Sequence, residues 1–116
     1  MADLSLTVVV VDAENVRRSV WPNVSRERLV ELVRRWAEGH DCDVLVVFDG
    51  PAEDTGGGRV RVVGTSGESA DDRIAREVGE LDRYWLVTSD RELRQRAGGG
   101  AERVVGGGSF VRELTA

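Results

Sequence analysis

The sequence predicts an α/β fold in three layers, in which a mainly parallel sheet of about five strands lies between two layers of helices. Residues 8–11 are four consecutive valines, which is typical of a strand covered on both faces. Along the rest of the chain, short apolar segments alternate with segments of helical periodicity, as in parallel sheets whose strands are joined by helices. The 116 residues suffice for one hydrophobic core, so we expect a single domain over residues 1–116.

The first strand and the first helix follow from apolar patterning. Residues 7–11 predict a strand that ends at Asp12, and residues 16–24 are expected to form a loop. Ser25 is expected to cap a helix over residues 26–38. The apolar side chains that fall on one face of this helix are Leu29, Leu32, Val33 and Trp36.

The middle of the chain predicts two further strands. Residues 43–49 form a second buried strand, which again ends in an acid, Asp49. Residues 50–58 are expected to be a loop that Gly56, Gly57 and Gly58 make mobile. Residues 59–63 alternate arginine with valine, which is typical of a half-exposed strand near a sheet edge.

The last third of the chain continues the alternation. Ser69 is expected to cap a helix over residues 70–81, with Asp72 at the capping-box position. Residues 84–88 predict a strand, and residues 102–105 predict another. Between these strands, a second capping-box pair predicts a helix that ends near residue 97; the pair is Ser89 and Glu92. Ser109 is expected to cap a short final helix.

Composition limits the chemistry and the location of the protein. All 16 basic side chains are arginine, which removes lysine Schiff-base chemistry and leaves bidentate arginine for phosphates. The net charge of -5 argues against a surface that coats nucleic acid generally. Cys42 is the only cysteine, and the sequence has neither a signal-peptide pattern nor a bilayer-spanning stretch. We therefore expect a cytoplasmic protein that does not bind membranes.

Acidic residues follow three of the predicted strands and begin one of the helices. Asp12, Asp49 and Asp90 stand at strand ends, and Asp71 and Asp72 lie in the first turn of a helix. Because strand ends and the following helix starts share one edge of a parallel sheet, these carboxylates are expected to converge there. Converging carboxylates repel one another unless they are neutralised, and Mg²⁺ or Mn²⁺ prefers such oxygen ligands.

Each acid also has a structural explanation. Asp71, Asp72 and Asp90 occupy positions where helix capping and the helix dipole favour acids, so each alone is a cap as readily as a ligand. Asp12 and Asp49 are harder to explain as caps, because an acid directly after a buried strand must be solvated, paired or bound to metal.

Other site types find less support in the sequence. The segment from His40 to Asp43 contains potential ligands but precedes a strand, at the edge opposite the acids. No glycine triplet is followed by the lysine of a phosphate-binding loop. His40 is the only histidine, so no acyl-transfer triad is expected. A phosphorelay receiver is disfavoured as well, because it would require a lysine and the sequence has none.

The sequence resembles the NYN domains, specifically the YacP-like branch of the PIN-like nucleases. The resembling segments are residues 9–16, 46–50, 68–74, 86–90 and 108–114. The resemblance implies a PIN-like three-layer fold and a metal-dependent endoribonuclease that leaves a 5′-phosphate and a 3′-hydroxyl. It implies catalytic roles for Asp12, Asn15, Asp49, Asp72 and Asp90, with Asp71 as an additional candidate for metal binding.

One departure from the family pattern lies beside the first acid. The family usually has Gly-Tyr where this chain has Ala13-Glu14, so Glu14 is expected either to add a ligand or to alter the approach of the substrate.

Arginines flank the acidic segments and offer contacts to RNA. The candidates for RNA binding are Arg17, Arg18, Trp21, Arg59, Arg61, Arg73, Ser89 and Arg91. The arginines would contact phosphates, Ser89 would offer a hydroxyl, and Trp21 would stack on a base. The alternative is a solvated rim with Trp21 packed under a loop, whereas Trp36 and Trp85 are expected in the core.

The favoured function is therefore a Mg²⁺- or Mn²⁺-dependent endoribonuclease for single-stranded or loop RNA. Two alternatives remain open. The first is a non-catalytic RNA- or protein-binding module on the same fold, and the second is the toxin ribonuclease of a toxin–antitoxin pair. Ribosome association and homodimer formation are also left open by the sequence.

Overall fold

The computed structural model of the chain describes residues 6–53 and 58–116. The elements within these residues are β1 (Val8–Asp12), α1 (Ala13–Arg18), α2 (Arg26–His40), β2 (Asp43–Val47), β3 (Val60–Val63), α3 (Ala70–Val78), β4 (Tyr84–Val87), α4 (Arg91–Ala97), β5 (Arg103–Val105) and α5 (Gly107–Leu114). The loop predicted over residues 50–58 is described only in part, because Gly56 and Gly57 lie outside the described residues.

The five strands form one sheet in the order β3-β2-β1-β4-β5, and all neighbouring strands are parallel. This arrangement confirms the α/β fold with a parallel sheet. From β1 the chain adds β2 and then β3 on one side. It then crosses to the other side of β1, where it adds β4 and β5. In open α/β sheets, a crevice for ligands forms at the carboxyl ends of the strands beside such a reversal. Here that crevice lies beside the ends of β1 and β4.

Helices cover both faces of the sheet. Val9 and Val11 of β1 pack on one face with side chains of α1, α2 and α5, such as Val16, Val33 and Phe110. Val10 packs on the other face with α3 and α4. The alternation of side chains along a strand thus places the consecutive valines in two cores, which confirms a strand buried on both faces. No helix among the described residues is long and apolar enough to cross a bilayer.

The register of the strands aligns the acidic positions at one edge. Asp12 lies beside Val47 of β2, and Val11 lies beside Val87 of β4. Asp49 therefore lies two residues beyond Val47, the β2 residue that pairs with Asp12. On the other side of Asp12, Thr88 directly follows Val87 and so stands level with Asp12. Because all strands run in the same direction, the edge that carries Asp12 also carries the starts of α3 and α4.

Several element ends differ from the predicted bounds by one to three residues, and three further local predictions need correction. The structure has helix α1 at Ala13–Arg18 where a loop was expected from residue 16; its six residues are too few to show helical periodicity in the sequence. Helix α4 is capped by Asp90 rather than Ser89, since the Asp90 carboxylate accepts from the N–H groups of Glu92 and Leu93. Helix α5 begins at Gly107 after Gly106, before the predicted cap at Ser109.

Two other caps are as predicted. The Ser25 hydroxyl accepts a hydrogen bond from the Arg28 N–H at the start of α2. The Ser69 hydroxyl accepts one from the Asp72 N–H at the start of α3. These side chains satisfy backbone donors that have no partner within the helix, and the Ser69 cap fixes where α3 starts beside the acidic edge.

Candidate functional site

A cleft of about 320 Å³ opens at the carboxyl edge of the sheet. The residues that line it are Asp12, Glu14, Asn15, Arg18, Asp49, Ser69, Ala70, Asp71 and Asp90. They come from the ends of β1 and β2, from both ends of α1, and from the starts of α3 and α4. The topology therefore brings four of the five predicted aspartates to one cavity.

Asp12 lies at the innermost part of the acidic edge. It is the last residue of β1, and only 6% of it is exposed. Its Oδ2 accepts a hydrogen bond of 2.9 Å from the hydroxyl of Thr88. Burial raises the pKa of Asp12 to about 6; nearby Asp71 and Asp90 also raise it, while the Thr88 hydrogen bond opposes the rise. Asp12 is thus a carboxylate whose charge is costly without a cation.

Asp49 and Asp90 are held by backbone donors at the starts of helices. Oδ1 of Asp49 accepts from the N–H of Ala70, at 3.0 Å, which joins the segment after β2 to α3. Oδ1 of Asp90 accepts from the N–H groups of the first turn of α4. The N–H of Asp90 in turn donates to the Thr88 hydroxyl at 3.1 Å. The buried Thr88 hydroxyl therefore links Asp12, at the end of β1, to Asp90, at the start of α4.

The two adjacent aspartates of α3 have different surroundings. Asp71 lines the cleft, and burial, with the charge of Asp90 next in importance, raises its pKa, while Arg96 opposes the rise. Asp72 does not line the cleft; its Oδ1 lies 3.1 Å from a guanidinium nitrogen of Arg96 of α4. Successive residues of a helix point about 100° apart, so only one of the pair faces the cavity. The structure places Asp71 in the cleft and Asp72 outside it.

Asn15 joins three elements at the side of the cleft. Its Oδ1 accepts from the N–H of Ser89, at 2.8 Å, and the Ser89 hydroxyl accepts from the N–H of Gly107 at 2.8 Å. A Cβ atom at Gly107 would lie 2.9 Å from the Asn15 oxygen and 3.2 Å from the Ser19 Cβ, so this close approach favours glycine. Asn15 and Ser89, both predicted as site residues, thus hold the turn after β4 against α1 and α5.

The predicted RNA-binding arginines do not lie together. Arg18 lines the cleft and is 70% exposed. Arg17 donates to Glu14 and to the Val24 carbonyl, and Arg73 donates to Glu77 and to the Gly64 carbonyl. Arg91 is exposed at the first position of α4.

Arg59 and Arg61 lie elsewhere on the sheet. Arg59 pairs with Asp41 and Asp43 at the amino end of β2, which is the edge opposite the cleft. Arg61 is exposed on β3, the edge strand. An arginine close to an acidic segment in the sequence therefore need not lie near the cleft. The first residues of a parallel strand lie at the amino edge of the sheet, and the cleft lies at the carboxyl edge.

The tryptophans divide clearly by exposure. Trp21 is 88% exposed, so it is not packed under a loop. Trp36 and Trp85 are buried, as expected. His40 stacks on Trp36 at the amino edge, beside buried Cys42, and this segment is remote from the acidic cleft.

The donor chemistry of the cleft suits a hard divalent cation. Carboxylate oxygens are the ligands that Mg²⁺ and Mn²⁺ prefer. Within residues 6–53 and 58–116, however, no three histidine, cysteine, aspartate or glutamate side chains are grouped so as to hold a metal ion. Mg²⁺ is commonly held by one or two carboxylates, with waters and substrate phosphate completing its shell. The cleft fits that mode rather than a closed cage of protein ligands.

Two comparisons relate this chain to known proteins, and a third finds nothing. The family model described as the YacP-like NYN domain matches residues 7–116. The structure is similar to the crystal structure of a mutant form of Rae1 (YacP) from Bacillus subtilis, with a TM-score of 0.77 and 23% sequence identity over 93% of this chain and 74% of that chain. At this identity the structural likeness concerns the fold. No curated protein matches the chain.

Proposed function

The chain belongs to the YacP-like NYN domain family, and from this premise we propose that it is a metal-dependent endoribonuclease. The family supports a nuclease-like, RNA-related function. The observation that carries the proposal is the cleft lined by Asp12, Asp49, Asp71 and Asp90 at the reversal point of the sheet. Phosphodiester hydrolysis at an acidic cleft requires a cation, which we propose is Mg²⁺ or Mn²⁺.

Asp12 and one neighbouring aspartate would hold the cation directly, and the remaining carboxylates would act through water. When bound there, such a cation supplies a water of lowered pKa and stabilises the leaving oxygen of the phosphodiester. Asp12 is suited to this role because its carboxylate is buried and its hydrogen bond from Thr88 comes from a neutral hydroxyl. Thr88 fixes the orientation of one carboxylate oxygen.

The aspartates on α3 and α4 are suited to positioning. Asp90 is anchored through Oδ1 by the amides of α4, so its carboxylate has a fixed direction. Asp49 is anchored in the same way by Ala70. Fixed carboxylates hold water and cation with little reorganisation during the reaction. These anchors support a preorganised acidic site.

RNA would approach the cleft at Arg18, with Trp21 as a second contact. Arg18 is the cleft-lining residue whose guanidinium can form a bidentate pair with a phosphate. Trp21 follows Arg18 by three residues and offers an exposed aromatic face to an unstacked base. An available base is found in single strands and loops rather than in a helix. These residues therefore support single-stranded or loop RNA as the substrate.

The second candidate is a non-catalytic RNA-binding module on the same fold. It is favoured by the absence, among the described residues, of three side chains grouped to hold a metal ion. In that case the carboxylates at the helix starts would serve as caps alone.

Cleavage of a fluorescent single-stranded RNA in Mn²⁺, in Mg²⁺ and in EDTA tests the proposal. We expect cutting with either metal and none in EDTA, with 5′-phosphate and 3′-hydroxyl ends. Binding of the same RNA without cutting in any metal would favour the non-catalytic module. A duplex of the same sequence serves as the control for the substrate class.

A further inference from the structure

Glu14 is an acid of the cleft whose charge is already compensated within the protein. Its Oε2 accepts from Arg17 at 2.6 Å and lies 3.6 Å from Arg18, and its Oε1 accepts from Arg26 at 3.1 Å. The Glu14 side chain is only 13% exposed. A cation at Glu14 would face these guanidinium groups at close range, so electrostatics disfavour it as a metal ligand.

Arg26 extends this contact to the residue that follows β2. The nitrogen that donates to Glu14 also donates to the backbone carbonyl of Asp49, at 3.3 Å. The other terminal nitrogen donates to the carbonyl of Pro51 at 3.1 Å, and the guanidinium carbon lies 4.7 Å from the centre of the Phe48 ring. The planar fork of arginine makes several such contacts with one side chain. Arg26 therefore contacts the backbone at Asp49 and at Pro51, and it covers the Phe48 ring directly before Asp49.

The opposite side of the same segment is held by Thr65. The Gly50 N–H donates to the Thr65 hydroxyl at 2.7 Å, and the Thr65 N–H donates to the Gly50 carbonyl at 2.8 Å. Between these two attachments the Asp49 carboxylate reaches the Ala70 amide. The Ala70 amide thus reports directly on where the Asp49 carboxylate lies.

We propose that Glu14 is a positioning residue, which fixes the Asp49 carboxylate at the cleft by holding Arg26 against the backbone of Asp49. Glu14 does not itself bind the metal. The effect on catalysis rests on the proposed ribonuclease function, but the positioning can be measured without metal or RNA.

Hydrogen–deuterium exchange of the Ala70 amide, followed by NMR in EDTA, tests the positioning. In Glu14→Gln and in Arg26→Gln, we expect this amide to exchange about tenfold faster, as on losing one charge-assisted hydrogen bond. The Asp72 amide, which donates to the Ser69 hydroxyl in the same helix turn, should keep its rate. The Asp72 rate therefore distinguishes a local release of the Asp49 carboxylate, which would leave it unchanged, from a general loss of stability, which would raise it.

Glu31→Gln is the matched control variant. Glu31 also accepts from two arginines, Arg28 and Arg35, but on the exposed surface of α2. We expect no change in exchange at Ala70 in this variant. An unchanged Ala70 rate in Glu14→Gln would overturn the proposal, as would an equal acceleration at Asp72.

Activity supplies a second readout. Glu14→Gln and Arg26→Gln should each lower kcat, and the double variant should lose little more than either single variant, because both act through one contact. If Glu14→Gln abolished Mn²⁺ binding while Arg26→Gln preserved it, Glu14 would be a ligand and the proposal would be wrong. A wild type that does not cleave RNA would refute the ribonuclease but leave the exchange result valid.

Discussion

The Thr88 hydroxyl donates a 2.9 Å hydrogen bond to the carboxylate of Asp12, and both residues are buried at the ends of neighbouring parallel strands. Burial makes the charge of Asp12 unfavourable, and this hydrogen bond partly offsets the cost. The pair lies at the reversal point of the sheet, where the four aspartates of the cleft converge. The ionisation of Asp12 therefore affects both the stability of the fold and the negative charge of the cleft.

The first prediction concerns stability against pH. The folded-state pKa of Asp12, about 6, lies above its ordinary value of 3.8, so the folded state binds more protons between these values. Its contribution therefore makes the metal-free protein less stable as the pH rises from about 4 to about 6, and is constant above that. Asp12→Asn should remove this slope and add about 2–3 kcal/mol to the unfolding free energy near neutral pH.

Melting temperatures of both proteins in EDTA across this pH range check the prediction. Only the difference between wild type and variant is informative, because the raised pKa of Asp71 adds its own slope. If the plots of melting temperature against pH for the wild type and Asp12→Asn stayed parallel throughout, a raised pKa at Asp12 would be contradicted.

The second prediction concerns Thr88. Thr88→Val removes the donor to Asp12 and the acceptor for the Asp90 N–H, so it should raise the pKa of Asp12 further. The pH at which Mn²⁺ binding is half complete should therefore move upwards by about one unit. Isothermal titration calorimetry of Mn²⁺ binding at several pH values measures this midpoint. Thr88→Ser retains the hydroxyl and should behave as wild type; a shift in that variant too would indicate that packing, not hydrogen bonding, matters.

The third prediction separates the adjacent aspartates of α3. Asp71 lines the cleft, whereas Asp72 pairs with Arg96 outside it. Asp71→Asn should weaken Mn²⁺ binding about tenfold or more, because ligands and their immediate partners have effects of that size. Asp72→Asn should change it far less, since an exposed ion pair contributes little. Titration of Mn²⁺ into both variants measures the difference. A larger loss in Asp72→Asn would contradict this prediction and support the role that the family resemblance implies for Asp72.

The fourth prediction concerns Trp21. Because this side chain is exposed, Trp21→Ala should leave the melting temperature nearly unchanged. If Trp21 stacks on a base, the variant should bind single-stranded RNA more weakly by about 1–3 kcal/mol. RNA should also quench the tryptophan fluorescence of the wild type in EDTA, since the buried Trp36 and Trp85 are shielded. Equal RNA affinity of wild type and variant would exclude stacking at this position.

The parallel sheet and the converging acids could be predicted from local patterns. A valine run followed by Asp12, and an apolar strand followed by Asp49, define where strands end. Parallel topology then requires these ends to share an edge. Convergence follows from topology alone, so it could be inferred without knowing any side-chain contact.

Other features depend on contacts that no local pattern reveals. The choice between Asp71 and Asp72 is set by how α3 is rotated against the sheet, and both residues satisfy the same helix-start preferences. The contact of Glu14 with Arg26 joins two different helices, unlike its contacts with Arg17 and Arg18 on its own helix. The position of Arg59 at the opposite edge, in contrast, follows from the parallel topology, because residue 59 starts the predicted strand and directly precedes β3.

We propose above all that the acidic cleft hydrolyses RNA through a bound cation. The most direct measurement is the rate of RNA cleavage in Mn²⁺ by wild type, Asp12→Asn and Asp49→Asn, with Asp82→Asn as the control. Asp82 is an exposed aspartate that precedes β4 at the opposite edge of the sheet. We expect both cleft variants to lose at least about a hundredfold in rate, as loss of a strong electrostatic contact in a transition state does, while the control cuts as wild type. Cleavage that survives in both cleft variants would contradict the claim.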